Sequence, residues 1–345
     1  SSEVFTKTNN AIILIIAVRS LVIKIINIIA LFVFVKTSED LPIYIAIYTL
    51  SNVLNQIWNL ISLKRFQIKI KFTFSGLKKH LPSLTTLLFS AIAMQIYLLI
   101  DTVIIGFIMD YKSVGIYTSA VKSIRLVMPL ITSLGVVLLP KIASFNINET
   151  IERDKLLNQS FELVNFLSIP TTFFFIVIAK HFVPLFFGLG YDEVIVPMQI
   201  VSTLIFVSNL SYFFSVQVLA MLGEEKKFLK TVVIGMILNV LLNFLLIPYY
   251  GVIGAGIASV LAEIGLFSFA MYYVYKIVNI KIRPIINALI ASLPVFLISY
   301  LFNDLSNNFL YMLFVGMAFG IIYLVIQYFV FHNIVIKMII NKINL

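Results

Sequence analysis

One apolar segment of the chain carries a stripe of polar residues whose types and spacing suit the binding of an anion. Successive members are four, three, four and three residues apart, which places them on one face of a helix. The stripe consists of Thr118, Lys122, Arg125, Pro129 and Thr132. A guanidinium group binds phosphate well because its planar fork donates two parallel, charge-assisted hydrogen bonds. The stripe indicates a cavity or a helix contact, and its cations favour a phosphate or pyrophosphate substrate.

The first apolar segment carries two more cations. Ser20, Lys24 and Asn27 share a helical face, and Arg19 lies on the edge of that face. A charge inside a membrane is costly unless it faces a cavity or a partner. Lys24, near the middle of the segment, therefore predicts a cavity-facing role, whereas Arg19 lies close enough to the inner end for its side chain to snorkel.

Two acidic residues could balance these cations. One alternative pairs Asp101 with Lys122, which leaves Arg125 without a local partner near the bilayer centre. Glu263 lies at a similar depth and could neutralise Arg125. Four cations against two anions in the apolar segments predict a cavity that is cationic overall.

Asparagines and small residues form further stripes with a spacing of four. Asn239 and Asn243 lie on one helical face with Gly235, which is consistent either with helix packing through amide hydrogen bonds or with a cavity wall. A second stripe predicts close helix packing and consists of Gly254, Ala258 and Ala262.

The composition identifies the solvent as lipid. Of the 345 residues, 61% are hydrophobic and 12% are charged, whereas soluble domains carry about 45–50% apolar and about 25% charged residues. The net charge of +10 comes largely from loops, so it indicates membrane topology and no nucleic-acid partner. The absence of cysteine, three scattered histidines and the lack of P-loop, GxSxG or HExxH motifs predict no metal, no cofactor and no enzymatic activity.

Apolar runs of membrane-spanning length predict an all-α, polytopic integral membrane protein with about ten transmembrane helices. We interpret 182–189 as an interfacial loop, and we expect Pro129 to kink span four and serve as a hinge. Basic loops alternate with acidic or neutral ones, which predicts that both ends of the chain are cytoplasmic. The predicted spans are 11–35, 41–62, 82–108, 114–139, 159–179, 195–221, 229–249, 252–276, 285–302 and 309–331.

Short motifs in a fixed order resemble the O-antigen and polysaccharide flippases (the Wzx group) of the multidrug/oligosaccharidyl-lipid/polysaccharide exporter superfamily. The resemblance covers nearly the whole chain, and each motif is degenerate by itself. The residues that carry it are Lys79-His80-Leu81-Pro82, Ile96 to Asp101, Gly106, Val114 to Tyr117, Ala120, Lys122, Leu139-Pro140-Lys141, Gly223 to Lys227, Asn239, Asn243, Ile247 to Gly251, Gly254-Ala255 and Glu263.

The resemblance implies two six-helix bundles around a central cavity, often with two further helices, so about ten of an expected fourteen helices would be present. Residues 1–72 would form the last two helices of the N-terminal bundle, 73–280 the C-terminal six-helix bundle, and 281–345 two additional helices. The first four helices would then be absent, in keeping with a chain that begins without methionine.

The substrate implied by the resemblance is an undecaprenyl-pyrophosphate-linked oligosaccharide, moved from the inner to the outer leaflet of the bacterial cytoplasmic membrane. Its partners would be membrane lipid, a coupling H+ or Na+, and polymerase and chain-length proteins of the same pathway. Asp101 and Glu263 would provide coupling or charge balance. The predicted substrate-binding residues are Arg19, Lys24, Lys122, Arg125, Asn239 and Asn243.

Three alternatives remain open. A peptidoglycan-precursor flippase of the same superfamily would also have a cationic cavity, whereas a multidrug exporter would favour an acidic one. A membrane polysaccharide polymerase would be expected to carry a sizeable external catalytic loop, and no loop of that size is visible in the sequence.

Overall fold

The computed structural model describes residues 21–37, 40–65, 74–136, 142, 150–301, 309–331 and 333. Contacts between residues divide the chain into two compact units, Ser1–Lys78 and Lys79–Leu345. A π-helical segment covers Phe213–Ala220. The α-helices are α1 (Leu21–Phe34), α2 (Leu41–Arg65), α3 (Phe74–Ile108), α4 (Tyr111–Arg125), α5 (Met128–Val136), α6 (Thr150–Phe187), α7 (Ile195–Ser202), α8 (Leu204–Tyr212), α9 (Glu225–Val274), α10 (Arg283–Leu301) and α11 (Phe309–Phe329).

The predicted all-α polytopic fold is confirmed. Each predicted span coincides with an apolar helix, with part of one, or with consecutive helical segments. Within the described residues, six helical segments are long and apolar enough to cross a membrane, and shorter apolar helices accompany them. These same residues contain no strand, as expected where lipid cannot satisfy backbone groups.

Helix α9 is a hairpin. Its 50 residues would extend about 75 Å as a straight helix, more than twice the roughly 30 Å of bilayer hydrocarbon. Gly251 reverses the chain with φ 57° and ψ −135°, a conformation that a side chain would strongly disfavour. The two arms, before and after Gly251, match predicted spans seven and eight.

Two predicted spans are broken helices. In span four, α4 ends at Arg125 and α5 begins at Met128. Pro129 cannot donate to the carbonyl group of Arg125, and its ring crowds that group, so the break lies where the kink was predicted. In span six, Thr203 separates α7 from α8, and the π-helical segment follows α8 directly.

The loop predicted over 182–189 is wrong for most of its length. Helix α6 continues to Phe187, because its apolar run extends beyond predicted span five. Gly188 and Gly190 both have φ 94°, a conformation that favours glycine, and they end the helix. The same helix begins at Thr150, before the predicted start of span five at residue 159.

Helix α6 organises the second unit. It packs against α5, α7, α8, α10 and α11. Near its beginning, Asn158 donates to the carbonyl group of Asn279 at 2.8 Å and accepts from the backbone N–H of Lys281 at 2.8 Å. These hydrogen bonds attach the segment before α10 to α6, and packing holds α10 and α11 against the same helix. The predicted domain boundaries at 72 and 280 stay predictions.

The connection between α3 and α4 is a short capped turn. The Asp110 carboxylate accepts from the backbone N–H of Ser113 at 2.8 Å and so caps α4. Hydrogen bonds from Ser113 hold the pKa of Asp110 below its ordinary value. A Cβ atom at Gly251 would lie 3.0 Å from the terminal carbon of Met109, so this turn lies next to the reversal of the α9 hairpin.

Candidate functional site

Asp101 is the centre of a buried polar cluster. It lies on α3, and only 7% of its surface is exposed. Its Oδ2 accepts from the Tyr117 hydroxyl group at 2.6 Å and from Ser259 at 2.8 Å, while its Oδ1 accepts from Asn243 Nδ2 at 2.7 Å. Tyr117 belongs to α4, and Asn243 and Ser259 belong to the two arms of α9. One carboxylate therefore joins four helical segments.

The ion pair considered between Asp101 and Lys122 does not form among the described residues. The Asp101 carboxylate is occupied by its three donors, whereas the Lys122 side chain is exposed. Asp101 faces the interior of the unit, and Lys122 lies on a different face of α4 from Tyr117. Spacing in sequence placed the two charges at similar depth but could not determine which faces meet.

Asn239 lies one helical turn from this cluster. Its backbone carbonyl group accepts from Asn243 Nδ2 at 2.8 Å. The Asn239 side chain is completely buried, and neither its Oδ1 nor its Nδ2 has a hydrogen-bond partner within the described residues. The Asn243 Oδ1 atom also lacks a partner there. Buried amides normally form hydrogen bonds, so these three atoms have hydrogen-bonding capacity that the described residues do not use.

A second buried carboxylate lies on the same arm of α9 as Ser259. Glu263 is 6% exposed, and its side chain accepts a hydrogen bond from the Tyr97 hydroxyl group. Tyr97 and Asp101 are four residues apart on α3, as are Ser259 and Glu263 on α9. The two carboxylates therefore lie about one helical turn apart along paired helices.

Arg125 is the last residue of α4, immediately before the break in span four. Its guanidinium group donates to the carbonyl group of Leu98 at 3.3 Å. Among the described residues it forms no ion pair with either buried carboxylate. A guanidinium group has five N–H donors, so most of them remain available to a ligand.

These groups line a cavity of about 220 Å³ inside the second unit. Asp101, Arg125 and Glu263 are its charged wall residues. The hydroxyl groups of its wall come from Tyr97, Tyr117, Thr132, Ser208, Ser211, Tyr212, Ser215 and Ser259. The described wall thus combines one cation, two carboxylates and many hydroxyl groups.

Within the second unit this wall carries one cation and two carboxylates, while the cationic balance predicted for the whole cavity stays a prediction. Lys122 does not line the cavity, although it lies about one helical turn before Arg125, which does. Lys24 is an exposed residue of α1 in the first unit, and Arg19 lies outside the described residues. Asn243 lies behind the wall and contacts it through Asp101. Of the predicted site residues, the structure unites Asp101, Arg125 and Glu263 on one wall, with the asparagines adjacent.

The hydroxyl partners Tyr97, Tyr117 and Ser259 were not predicted as site residues from the sequence. A usable signal was present, since Tyr97–Asp101, Asn239–Asn243 and Ser259–Glu263 are polar pairs with a spacing of four. Three such pairs in apolar segments predict three polar helix faces that have to meet one another. Tyr117 carries no comparable pattern.

Comparison with known proteins agrees with this architecture. The family model of the lipid II flippase MurJ matches residues 13–324. A curated protein of Escherichia coli (strain K12), "Putative O-antigen transporter", is 24% identical over 234 residues, which are 67% of this chain and 56% of that protein. The chain thus spans just over half the length of this relative.

A solved structure has the same fold. "Lipid II flippase MurJ, inward closed conformation" superposes with a TM-score of 0.71 at 19% identity, covering 93% of this chain and 68% of that one. The resemblance to O-antigen flippases is thereby confirmed at the level of the superfamily, while the matching family model is that of the alternative, the peptidoglycan-precursor flippases. The chain belongs to the lipid II flippase MurJ family.

Proposed function

We propose that the protein is a flippase that moves an undecaprenyl-pyrophosphate-linked oligosaccharide, an O-antigen or capsule repeat unit, from the inner to the outer leaflet of the bacterial cytoplasmic membrane. The observation that carries the proposal is Arg125. Its guanidinium group lies on the wall of an intramembrane cavity, and most of its donors are free to bind an anion. Membership of a flippase family and the named E. coli relative support the same substrate class.

In this proposal Arg125 binds the pyrophosphate group. Two parallel hydrogen bonds from the guanidinium fork match two phosphate oxygens, and the low dielectric of the membrane strengthens their attraction. On a wall that is otherwise mostly apolar, hydroxyl groups that include Ser208, Ser211 and Ser215 offer donors and acceptors to the sugar. The cavity opens alternately to the two sides as the helical bundles rock.

We propose Asp101 as the site of the coupling ion, H+ or Na+. The carboxylate accepts from hydroxyl and amide groups, and the nearby Asn243 and Asn239, one helical turn further, carry unsatisfied Oδ1 atoms. Oxygen ligands are those that hard cations select. An ion bound here would contact four helical segments, so its release could change how they pack.

The polyprenyl chain has a suitable surface as well. An apolar groove of about 500 Å³ lies between α6 and α11, with Phe166, Phe174, Phe319 and Leu324 among its wall residues. A hydrocarbon chain gains little by leaving lipid for such a groove, so the groove would orient the lipid rather than determine affinity.

Lipid II is the second candidate substrate. The family model and the solved structure that match the chain both carry that name. Lipid II and the O-antigen unit share a polyprenyl pyrophosphate, so Arg125 would serve either. The glycan would distinguish them.

The test is complementation by the full-length protein in two strains, one lacking its O-antigen flippase and one depleted of its lipid II flippase. We expect surface polysaccharide to be restored in the first strain, and export to be abolished by Arg125→Ala because the phosphate ligand is lost. The control is Lys155→Ala, which removes an exposed cation remote from the cavity and should export normally.

Rescue of growth in the second strain alone would assign lipid II as the substrate. Normal export by Arg125→Ala at matched expression would overturn the role of Arg125. Failure of the parent protein in both strains, despite good expression, would reject the proposed substrate class.

A further inference from the structure

We propose that Glu263 competes with the substrate's phosphate for the Arg125 guanidinium group, and that a proton on Glu263 determines which of the two Arg125 binds. This inference rests on the proposed function, because it takes Arg125 as the phosphate ligand. In this inference, protonation of a residue of the protein itself determines when the substrate is released.

Within the described residues, the Glu263 carboxylate is stabilised by neutral hydroxyl groups and by no cation. It faces the cavity from the second arm of α9, and its side chain accepts a hydrogen bond from Tyr97. No cationic side chain pairs with it among the described residues. An isolated buried carboxylate is costly, and either a proton or a cation removes the cost.

Arg125 is the cation on the same cavity wall. Its contact with the Leu98 carbonyl group is long, at 3.3 Å, and Leu98 directly follows Tyr97 on α3. The guanidinium group therefore lies beside the segment that holds Glu263, with donors to spare. Because α4 ends at Arg125, this side chain lies at the joint between α4 and α5.

The other groups around the cavity are less suited to the competition. The titratable or charged wall residues are Tyr97, Asp101, Tyr117, Arg125, Tyr212 and Glu263. Asp101 accepts hydrogen bonds from Tyr117, Asn243 and Ser259, whereas the Glu263 side chain interacts with the hydroxyl groups of Tyr97, Ser208 and Ser211. Since the proposed function assigns Asp101 to the coupling ion, Glu263 is the carboxylate left for the Arg125 guanidinium group.

The competition has two states. With a proton on Glu263, its charge is removed and Arg125 is free to bind phosphate. Without that proton, the carboxylate attracts Arg125, and the phosphate is released. Loading and release of the lipid would then follow protonation of one residue.

The experiment measures binding of farnesyl pyrophosphate to the whole chain, purified in detergent, at pH 6 and pH 8. Glu263→Gln keeps an acceptor for Tyr97 but cannot become charged. At pH 8 we expect this variant to bind the probe about tenfold more tightly than the parent, and at pH 6 equally. Comparing both proteins at each pH cancels the titration of the probe itself.

Two further variants sharpen the test. Tyr97→Phe deprives Glu263 of one hydroxyl donor, so Glu263 attracts Arg125 more strongly and the probe should bind more weakly at pH 8. Glu193→Gln is the control, because Glu193 is an exposed carboxylate paired with Lys112 outside the cavity. It should bind the probe as the parent does at both pH values.

The outcomes separate the two proposals. If Glu263→Gln binds the probe like the parent at both pH values, and Tyr97→Phe does too, the competition is overturned while Arg125 can still be the phosphate ligand. If Arg125→Gln binds the probe like the parent, the proposed role of Arg125 fails, and the competition fails with it. If the double variant Arg125→Gln/Glu263→Gln binds like Arg125→Gln alone, the two residues act through one another, as proposed.

Discussion

Replacing Asp101 with Ala is expected to abolish transport and to lower stability markedly. The substitution leaves the buried donors of Tyr117, Asn243 and Ser259 without their shared acceptor. A hydrogen bond between membrane helices is worth about 0.6 kcal/mol on average, so three such bonds together contribute about 2 kcal/mol. The loss should be seen as a lower melting temperature of the purified protein in detergent and as absent surface polysaccharide in the complementation strain.

Asp101→Asn separates stability from coupling. Asparagine keeps the shape of the side chain and one acceptor oxygen, so most of the stability should be retained. It cannot carry the negative charge that holds H+ or Na+, so transport should still be lost. A parent-like melting temperature for Asp101→Ala would contradict the structural role of the cluster. Normal export by Asp101→Asn would contradict the coupling role.

Gly254→Ala is expected to be the second large effect, although it adds a single methyl group. A Cβ atom there would lie 2.7 Å from the carbonyl carbon of Leu246, on the opposite arm of the α9 hairpin. Backbone cannot move aside as a flexible side chain can, so the arms have to separate. Overpacking of this kind costs about 1–3 kcal/mol.

Separated arms would also pull Asn243 away from Ser259, so Gly254→Ala should lower transport together with the melting temperature. The matched control is Gly115→Ala in α4, where an added Cβ meets nothing within 4 Å. Alanine is the better helix former, so this control should be neutral or slightly stabilising. Equal melting temperatures for the two alanine variants would show that the hairpin arms are not tightly packed at Gly254.

Membrane insertion and the course of the chain were predictable from the sequence alone. Lipid requires long apolar runs, so hydrophobicity reports the spans directly. The glycine at 251 and the proline at 129 act through their own backbone chemistry, so the reversal of α9 and the break in span four lie next to residues visible in the sequence. The end of α6 was harder to predict, because an apolar run does not distinguish a continuing helix from an interfacial loop.

The residues of the candidate site were only partly predictable. Asp101, Arg125 and Glu263 were predicted as site residues because a charge inside an apolar segment is costly and usually faces a cavity or a partner. The alternative that paired Asp101 with Lys122 is not found, and the wall described within the second unit carries one cation and two carboxylates. Both findings depend on which faces of neighbouring helices meet, and spacing along a single helix contains no information on that.

The sequence by itself determined which side chains are costly to bury, because that cost depends on residue type and depth. Only the tertiary structure determined which neighbouring groups stabilise each buried polar side chain. The hairpin register brings Asn243 and Ser259 to the same carboxylate, and the pairing of α3 with α9 joins Tyr97 to Glu263. These contacts join residues up to 166 positions apart, so they follow from how the helices pack and not from any local pattern.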